Sequence, residues 1–578
     1  MSNSQAGRTE QIEEKYFFRA SAANFKKIPG GPIGYWVSGR QFECFEKFPK
    51  LSEFAVSSNG VQTGNNAKYV RLWSEVSASK VNSRWFPYNK GGSFRRWYGN
   101  FDFLVNWEND GEAIKSEKNF CARGEEYYLS LGITWSDITS GKLSGRILPE
   151  GFLFDASGPS AFFKDPSLTY VGLALLNTKF ADSLSKVLNP TLHFQSGDFR
   201  KLTLAPAYIS DSTRLTAKSL LKISKDDWDA YETSWGFTSL PLLLPGLRQP
   251  TLKASYEKLR VHWREMAMEM QRLEEENNRI FIDSYDLQGE LTPEVPLSEI
   301  TLTCNPHYRY GSEKREEDLE ALLLADTMRE LVSYAVGCMF GRYSLDKPGL
   351  ILANQGETLA DYLTQVPQPT FPADDDNVIP LLDGDWFPDD ITLRFRQFLR
   401  VAFGDAHYED NLAFIEQGLN VKGKRNYGLR DYFLGDFYTD HVKRYKKRPI
   451  YWLFSSPKGT FSALVYLHRY RPDTVSVVLN YLRDFRKKLA SRLDYLQQMA
   501  INPSASQSEK TKAIKEAETV KKQLLELDDY ESETLYPLAQ KATSGKLSLD
   551  LDNGVKDNYL NLGAALKKIP GLEAKGED

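Results

Sequence analysis

The stretch TCNPHYRYG, Thr303 to Gly311, carries Asn305-Pro306-His307-Tyr308, one residue away from Asn-Pro-Pro-Tyr. In that motif the Asn side chain and a prolyl carbonyl accept hydrogen bonds from the exocyclic amine of a flipped adenine, and the Tyr stacks on the base. Methyl transfer to that amine also needs a glycine-rich turn after a first strand, where backbone and helix N-terminus approach the methionine part of S-adenosylmethionine. IPGGPIGYW has the glycines, with no apolar strand before it and no helix after. No alternation of strands and helices surrounds the tetrapeptide either, so it reads as a structural turn.

Other catalytic chemistry is equally sparse. Asp374, Asp375, Asp376, Asp383, Asp385, Asp389 and Asp390 lack the order and trailing Glu of an EF-hand loop and the E-x-K of a nuclease site, and read as a solvated acidic loop. The six His residues form no i,i+4 pair, and no G-x-S-x-G or G-x-x-x-x-G-K-[ST] occurs. Cys44, Cys121, Cys304 and Cys338 are too scattered for a disulfide framework or a zinc knuckle, and read as reduced, buried thiols. No metal or cofactor site is expected.

Two basic-aromatic clusters carry the positive signal. In RWFPYNKGGSFRRWYGNFDFLVNW, Arg84 to Trp107, nine of 24 residues are aromatic, interleaved with Arg84, Lys90, Arg95 and Arg96 around a Gly-Gly turn. Arg and Lys suit phosphates and guanine edges, and Asn89 suits adenine. Trp97, Phe101, Phe103 and Trp107 read as strand core. The second cluster, Val421 to Leu489, holds 16 Lys and Arg against five Asp, a local net of +11 in a chain of net charge −4. Such asymmetry points to an electropositive face for a polyanion, or to a docking surface for an acidic partner.

These residues need scaffolds. At 578 residues the chain exceeds one ordinary core, and its 13% aromatic content can fill several. The expected class is α+β. Residues 1–210 read as mixed β, with glycine turns between GPIGYWVS, AKYVRLW, FDFLVNW, GFLFDASG and a strand-like TYVGLALL. Residues 211–372 read as a helical spacer, in which Leu259, Trp263, Met266, Met270, Leu273, Asn277 and Ile280 mark a heptad seam for packing on another helix of the chain. Residues 373–578 read as basic and mainly helical, ending in an antiparallel hairpin of helices near 474–500 and 508–528. The polar start is not a signal peptide and no apolar run is long enough to span a bilayer, so a soluble, cytoplasmic protein is expected.

The chain also carries a resemblance. VQTGNNAKYVRLW is similar to the Gly-x-x-Thr-Gly-Asn opening of target-recognition domains in adenine methyltransferases of restriction-type systems. WFPYNKGGSFRRWYGN, GITWSDITSGKLSGR, LNPTLHFQSGDFRKL, VGCMFGRYSLDKPGLILANQGET, RPIYWLFSSPKGTFSALVYLHRY and LDLDNGVKDNYLNLGAALKKIPGLE, in that order, resemble the adenine-specific DNA methyltransferases of BREX phage-defence systems. The family's proteins are about twice this length, and the chain resembles their C-terminal half. The resemblance implies an N-terminal methyltransferase half elsewhere that binds S-adenosylmethionine, and methylation of adenine N6 at a short site by the complete enzyme. For this chain it implies sequence choice and grip on double-stranded DNA.

By motif position, the candidate DNA contacts are Gln62, Thr63, Asn65, Asn66 and Lys68 in the loop after Gly60, and Asn89, Lys90, Arg95, Arg96 and Tyr98 in the second loop. Arg444, Lys446, Lys447, Arg448 and Lys458 would hold phosphates or close behind the duplex. The alternative reading is an interaction scaffold that docks other BREX proteins or a DNA-mimicking phage inhibitor. A third, a complete methyltransferase with an unrecognised cofactor site, would bind S-adenosylmethionine on its own.

Overall fold

Loops rich in glycine and asparagine break the first third of the chain into short strands, which pair into two four-stranded sheets. The computed structural model describes residues 21–138, 142–205 and 210–572. β1 (Ala55–Ser58), β5 (Gly132–Thr134), β6 (Arg146–Leu148) and β8 (Ser160–Phe163) form one antiparallel sheet in the order β1-β8-β5-β6. β2 (Val70–Leu72), β3 (Trp85–Asn89), β4 (Phe103–Asn106) and β7 (Leu153–Phe154) form the other in the order β2-β4-β3-β7. Its β3–β7 pair is parallel, in the register Tyr88↔Leu153, and its other pairs are antiparallel.

TYVGLALL departs from the strand expectation. Thr169–Leu176 is a helix with seven of its eight residues buried. A helix apolar all round has the same apolar run as a buried strand, and burial on every side is what such a helix requires. Its Gly172 lies so close to β8 that a Cβ there would meet Phe163 at 2.1 Å. GPIGYWVS is likewise no strand; it runs as a loop into the helix Gly39–Lys47.

The heptad segment is one long helix, Leu252–Ser284, with Leu259, Trp263, Met270, Leu273 and Asn277 buried. It packs inside the chain against the helices Asp211–Asp229, Lys179–Leu188 and Tyr408–Leu419. The closing hairpin pairs Thr474–Ile501 with Gln507–Tyr530, and Arg492–Glu516 (2.8 Å) and Arg486–Asp528 (2.5 Å) cross between its arms. The C-terminal third also holds a sheet that its helical reading lacks. β9 (Val378–Pro380), β10 (Tyr451–Ser455) and β11 (Ser462–Tyr466) are wholly buried and ordered β10-β11-β9.

The acidic stretch is more ordered than a solvated loop. It contributes β9, buries Asp374, and uses Asp390 to cap the helix Ile391–Phe403 while pairing with Arg430 at 3.1 Å. One contiguous cluster of buried apolar side chains runs from Ile28 to Leu572 and takes residues from all three sequence segments. Among the described residues no helix is long and apolar enough to cross a membrane.

Candidate nucleic-acid interface

The loop after Gly60 is held by the second sheet. Gly60, at φ +69°, lies where a Cβ would meet the Phe154 carbonyl oxygen at 2.0 Å, so only glycine brings the chain this close. The next backbone groups bond Phe154 (Val61 N–H, 2.8 Å) and Cys121 (Gln62 N–H, 2.7 Å). Gln62 is exposed and Thr63 buried. Thr63 Oγ1 donates to Asn66 Oδ1 at 2.8 Å, and Asn65 Oδ1 accepts the Lys68 N–H at 3.1 Å, capping the turn Asn66–Tyr69. Lys68 pairs with Glu117 at 2.8 Å. Lys90 reaches across to Asn66 Oδ1 (3.3 Å) and Asp155 (3.2 Å).

Four residues expected at DNA lie inside the molecule. Asn89 is fully buried and donates to Thr134 Oγ1 (2.7 Å) and the Gly158 carbonyl (3.2 Å). Arg95 pairs with Asp227 at 2.8 Å, and Arg96 with Glu274 (2.7 Å) and Glu299 (3.2 Å). Tyr98 is buried against Phe101. The aromatic residues of this cluster draw the Phe94–Asn100 loop into the core, and its guanidiniums follow because two helices supply buried carboxylates to meet them. Burial holds the Glu274 carboxyl above its usual range even against Arg96 and the Trp97 indole N–H. Arg95 and Arg96 fasten this loop to the two helices, and Asn89 ties β3 to β5, so all four side chains are engaged inside the molecule.

The second cluster divides in the same way. Arg444 is largely covered and pairs with Glu232 at 3.3 Å. Lys446 is half exposed, 2.6 Å from Asp102, and Arg448 lies 3.8 Å from Glu75. Lys447 is exposed in the left-handed conformation (φ 61°). Lys458 is exposed in the β10–β11 turn.

The structure brings the two distant clusters to one cleft of about 990 Å³. Asn65, Asn66, Lys68, Arg71, Arg84 and Lys90 line it from the sheet side, and Lys446, Arg448 and the segment from Asp550 to Asp557 from the other. Gln62, Thr63, Arg444, Lys447 and Lys458 lie outside its lining.

Arg71 was hidden in a strand motif. Its guanidinium lies over the Trp85 ring at 5.4 Å and donates to the carbonyls of Ala67, Val70 and Asp552. Burial holds it below the usual arginine range. The C-terminal turn was missed as well. Asp552 meets Lys80 (2.6 Å), Arg84 (3.0 Å) and Trp85 Nε1 (2.9 Å), and although burial opposes it, these partners keep its carboxyl below the usual range. No residue-type signal marks a turn that docks so far back along the chain. The cleft is therefore lined by a mosaic of paired charges together with the side chains of Asn65 and Asn66.

The Asn-Pro-His-Tyr turn is structural in its geometry. Asn305 is buried, its Oδ1 accepts the His307 N–H at 3.2 Å, and its Nδ2 donates to the carbonyls of Leu297 (2.7 Å) and Ile300 (2.9 Å). Tyr308 Oη donates to the Phe94 carbonyl at 2.5 Å. No group of three His, Cys, Asp or Glu among the described residues could hold a metal ion. Among the named strands, parallel pairing is confined to β3–β7.

No protein-family model matches the chain. Two curated proteins do, both adenine-specific methyltransferases. The chain is 35% identical over 587 residues to adenine-specific methyltransferase PglX of Lacticaseibacillus casei (strain Zhang), covering 96% of this chain and 46% of that protein. It is 36% identical over 569 residues to adenine-specific methyltransferase BrxX of Escherichia coli O9:H4 (strain HS), covering 95% of this chain and 46% of that protein. The chain is thus similar to PglX and BrxX over nearly its whole length, and it spans about half the length of these curated relatives.

Proposed function

We propose that the chain is the target-recognition and DNA-clamping part of a BREX-type N6-adenine DNA methyltransferase that marks host DNA and takes part in phage defence. It would act in the cytoplasm beside an N-terminal half that binds S-adenosylmethionine. The observation that carries the reading is the meeting of Asn65, Asn66, Lys68 and Lys90 with Lys446 and Arg448 on one cleft. Amides at the rim suit base edges and cations on both walls suit the two backbones of a duplex. Residues to about 210 would choose the sequence, and the C-terminal region would close behind it.

The test is fluorescence anisotropy of a short duplex with the purified chain across a salt series. Binding that weakens as a power of salt concentration, by counterion release, supports the reading. Absence of duplex binding at low salt contradicts it.

A second reading rests on the docked turn at Asp552. That basic-aromatic surface already takes a protein carboxylate, so an acidic protein, whether another BREX component or a DNA-mimicking inhibitor, could use the neighbouring cations. Tight binding of such a protein without affinity for duplex would favour it.

A further inference from the structure

Two side chains on the cleft wall have their polarity fixed from behind. Asn65 Oδ1 accepts the Lys68 backbone N–H at 3.1 Å. Asn66 Oδ1 accepts from Thr63 Oγ1 at 2.8 Å and from Lys90 Nζ at 3.3 Å. A backbone N–H and an ammonium can only donate, so in both residues the carboxamide oxygen must be the atom turned inward. Both residues are exposed and line the cleft, and their Nδ2 groups have no hydrogen-bond partner among the described residues. The wall offers two side-chain donors, while Asn66 Oδ1 already accepts two hydrogen bonds and Asn65 Oδ1 is turned to the backbone by one.

Resting on the DNA reading above, we infer that Asn65 and Asn66 read base edges as donors only, and that the recognised site places a guanine against them. Asn commonly reads adenine with both ends of its amide, the oxygen accepting from N6 and the nitrogen donating to N7. That pairing needs an acceptor facing the base, whereas Thr63 and Lys90 fill Asn66 Oδ1 and the Lys68 N–H turns Asn65 Oδ1 toward the backbone. In the major groove guanine alone presents two adjacent acceptors, O6 and N7. Adenine sets a donor beside its N7, thymine sets a methyl group beside its O4, and cytosine offers only a donor. Two fixed donors therefore match guanine best, which reverses the adenine preference that asparagine as a residue type suggests.

The experiment selects duplexes from a random pool with the full chain, then measures anisotropy on the selected duplex with each guanine in turn replaced by 7-deazaguanine. At least one replacement is expected to weaken binding by about tenfold, the scale of one good base contact. Asn66→Asp keeps the Thr63 and Lys90 bonds, and Asn65→Asp keeps the cap, since Asp caps as well as Asn. Each variant turns an acceptor toward the cleft, and selection with it is expected to move the guanine position toward cytosine, whose N4 amine donates. Binding that shows no dependence on a guanine, or variants that keep the parent preference, would overturn the inference and leave DNA binding intact. Failure to bind any duplex at low salt would overturn the DNA reading, and the inference with it.

Discussion

Lys68 and Lys446 stand on opposite walls of the cleft, each against a carboxylate, Glu117 and Asp102. Exposed ion pairs of this kind contribute about 0–1 kcal/mol, so a phosphate can replace either partner. Lys446→Ala is expected to weaken binding equally on all sequences and to reduce the slope of log affinity against log salt by ~0.9, read by anisotropy. Arg96 is the contrast. Arg96→Ala strands Glu274 in the core beside Trp97, and about 3–5 kcal/mol of stability should disappear in urea unfolding, the scale for breaking a buried pair. Asp374 makes one contribution to the pH dependence of stability. Burial first, then its neighbour Asp376, push its carboxyl up to about 7. A carboxyl raised in the folded state binds more protons folded than unfolded, so its contribution to stability is present at low pH and lost as pH rises toward that value. Asp374→Asn should flatten the fall in unfolding midpoint between about pH 4 and 7, where an unperturbed Asp is already ionised.

Among the elements, those written in local periodicity were legible in the sequence. The seam at Leu259, Trp263, Met270 and Leu273 marks its helix because a 4-3 spacing repeats on one face, and the hairpin at 474–530 is announced by NPSASQS between two charged helices. TYVGLALL was not legible, because an apolar run without polar residues has no period to separate helix from strand. The cleft was half legible. Residue types nominated Asn65, Asn66, Lys68, Lys90, Lys446 and Arg448, while the burial of Arg95 and Arg96 depends on Asp227 and Glu274, partners 132 and 178 positions away. The loop that carries Asn65 and Asn66 rests on Gly60. Gly60→Ala sets a methyl group against the Phe154 carbonyl in a conformation that L residues avoid. It is expected to lower stability by at least ~1 kcal/mol in urea and to weaken duplex binding more than Lys446→Ala does.

Across the whole molecule, the chain's end closes on its beginning. Asp552 gathers Lys80, Arg84 and the Trp85 indole, and Val555 N–H bonds Glu75 at 3.0 Å, so the C-terminal turn straps the second sheet to the C-terminal region and sets the distance between the cleft walls. Asp552→Ala leaves the buried Trp85 N–H unpartnered and should cost about 1–3 kcal/mol in urea unfolding. In the DNA reading proposed above, residues 61–69 and 446–448 act together as the two walls of one cleft. Hydrogen exchange of the full chain, with and without a selected duplex, reads both walls in one experiment. Added protection is expected on both at once, at 61–69 and at 446–448, with the buried Phe94–Asn100 loop unchanged. Protection confined to one wall, or found only outside the cleft, would contradict it.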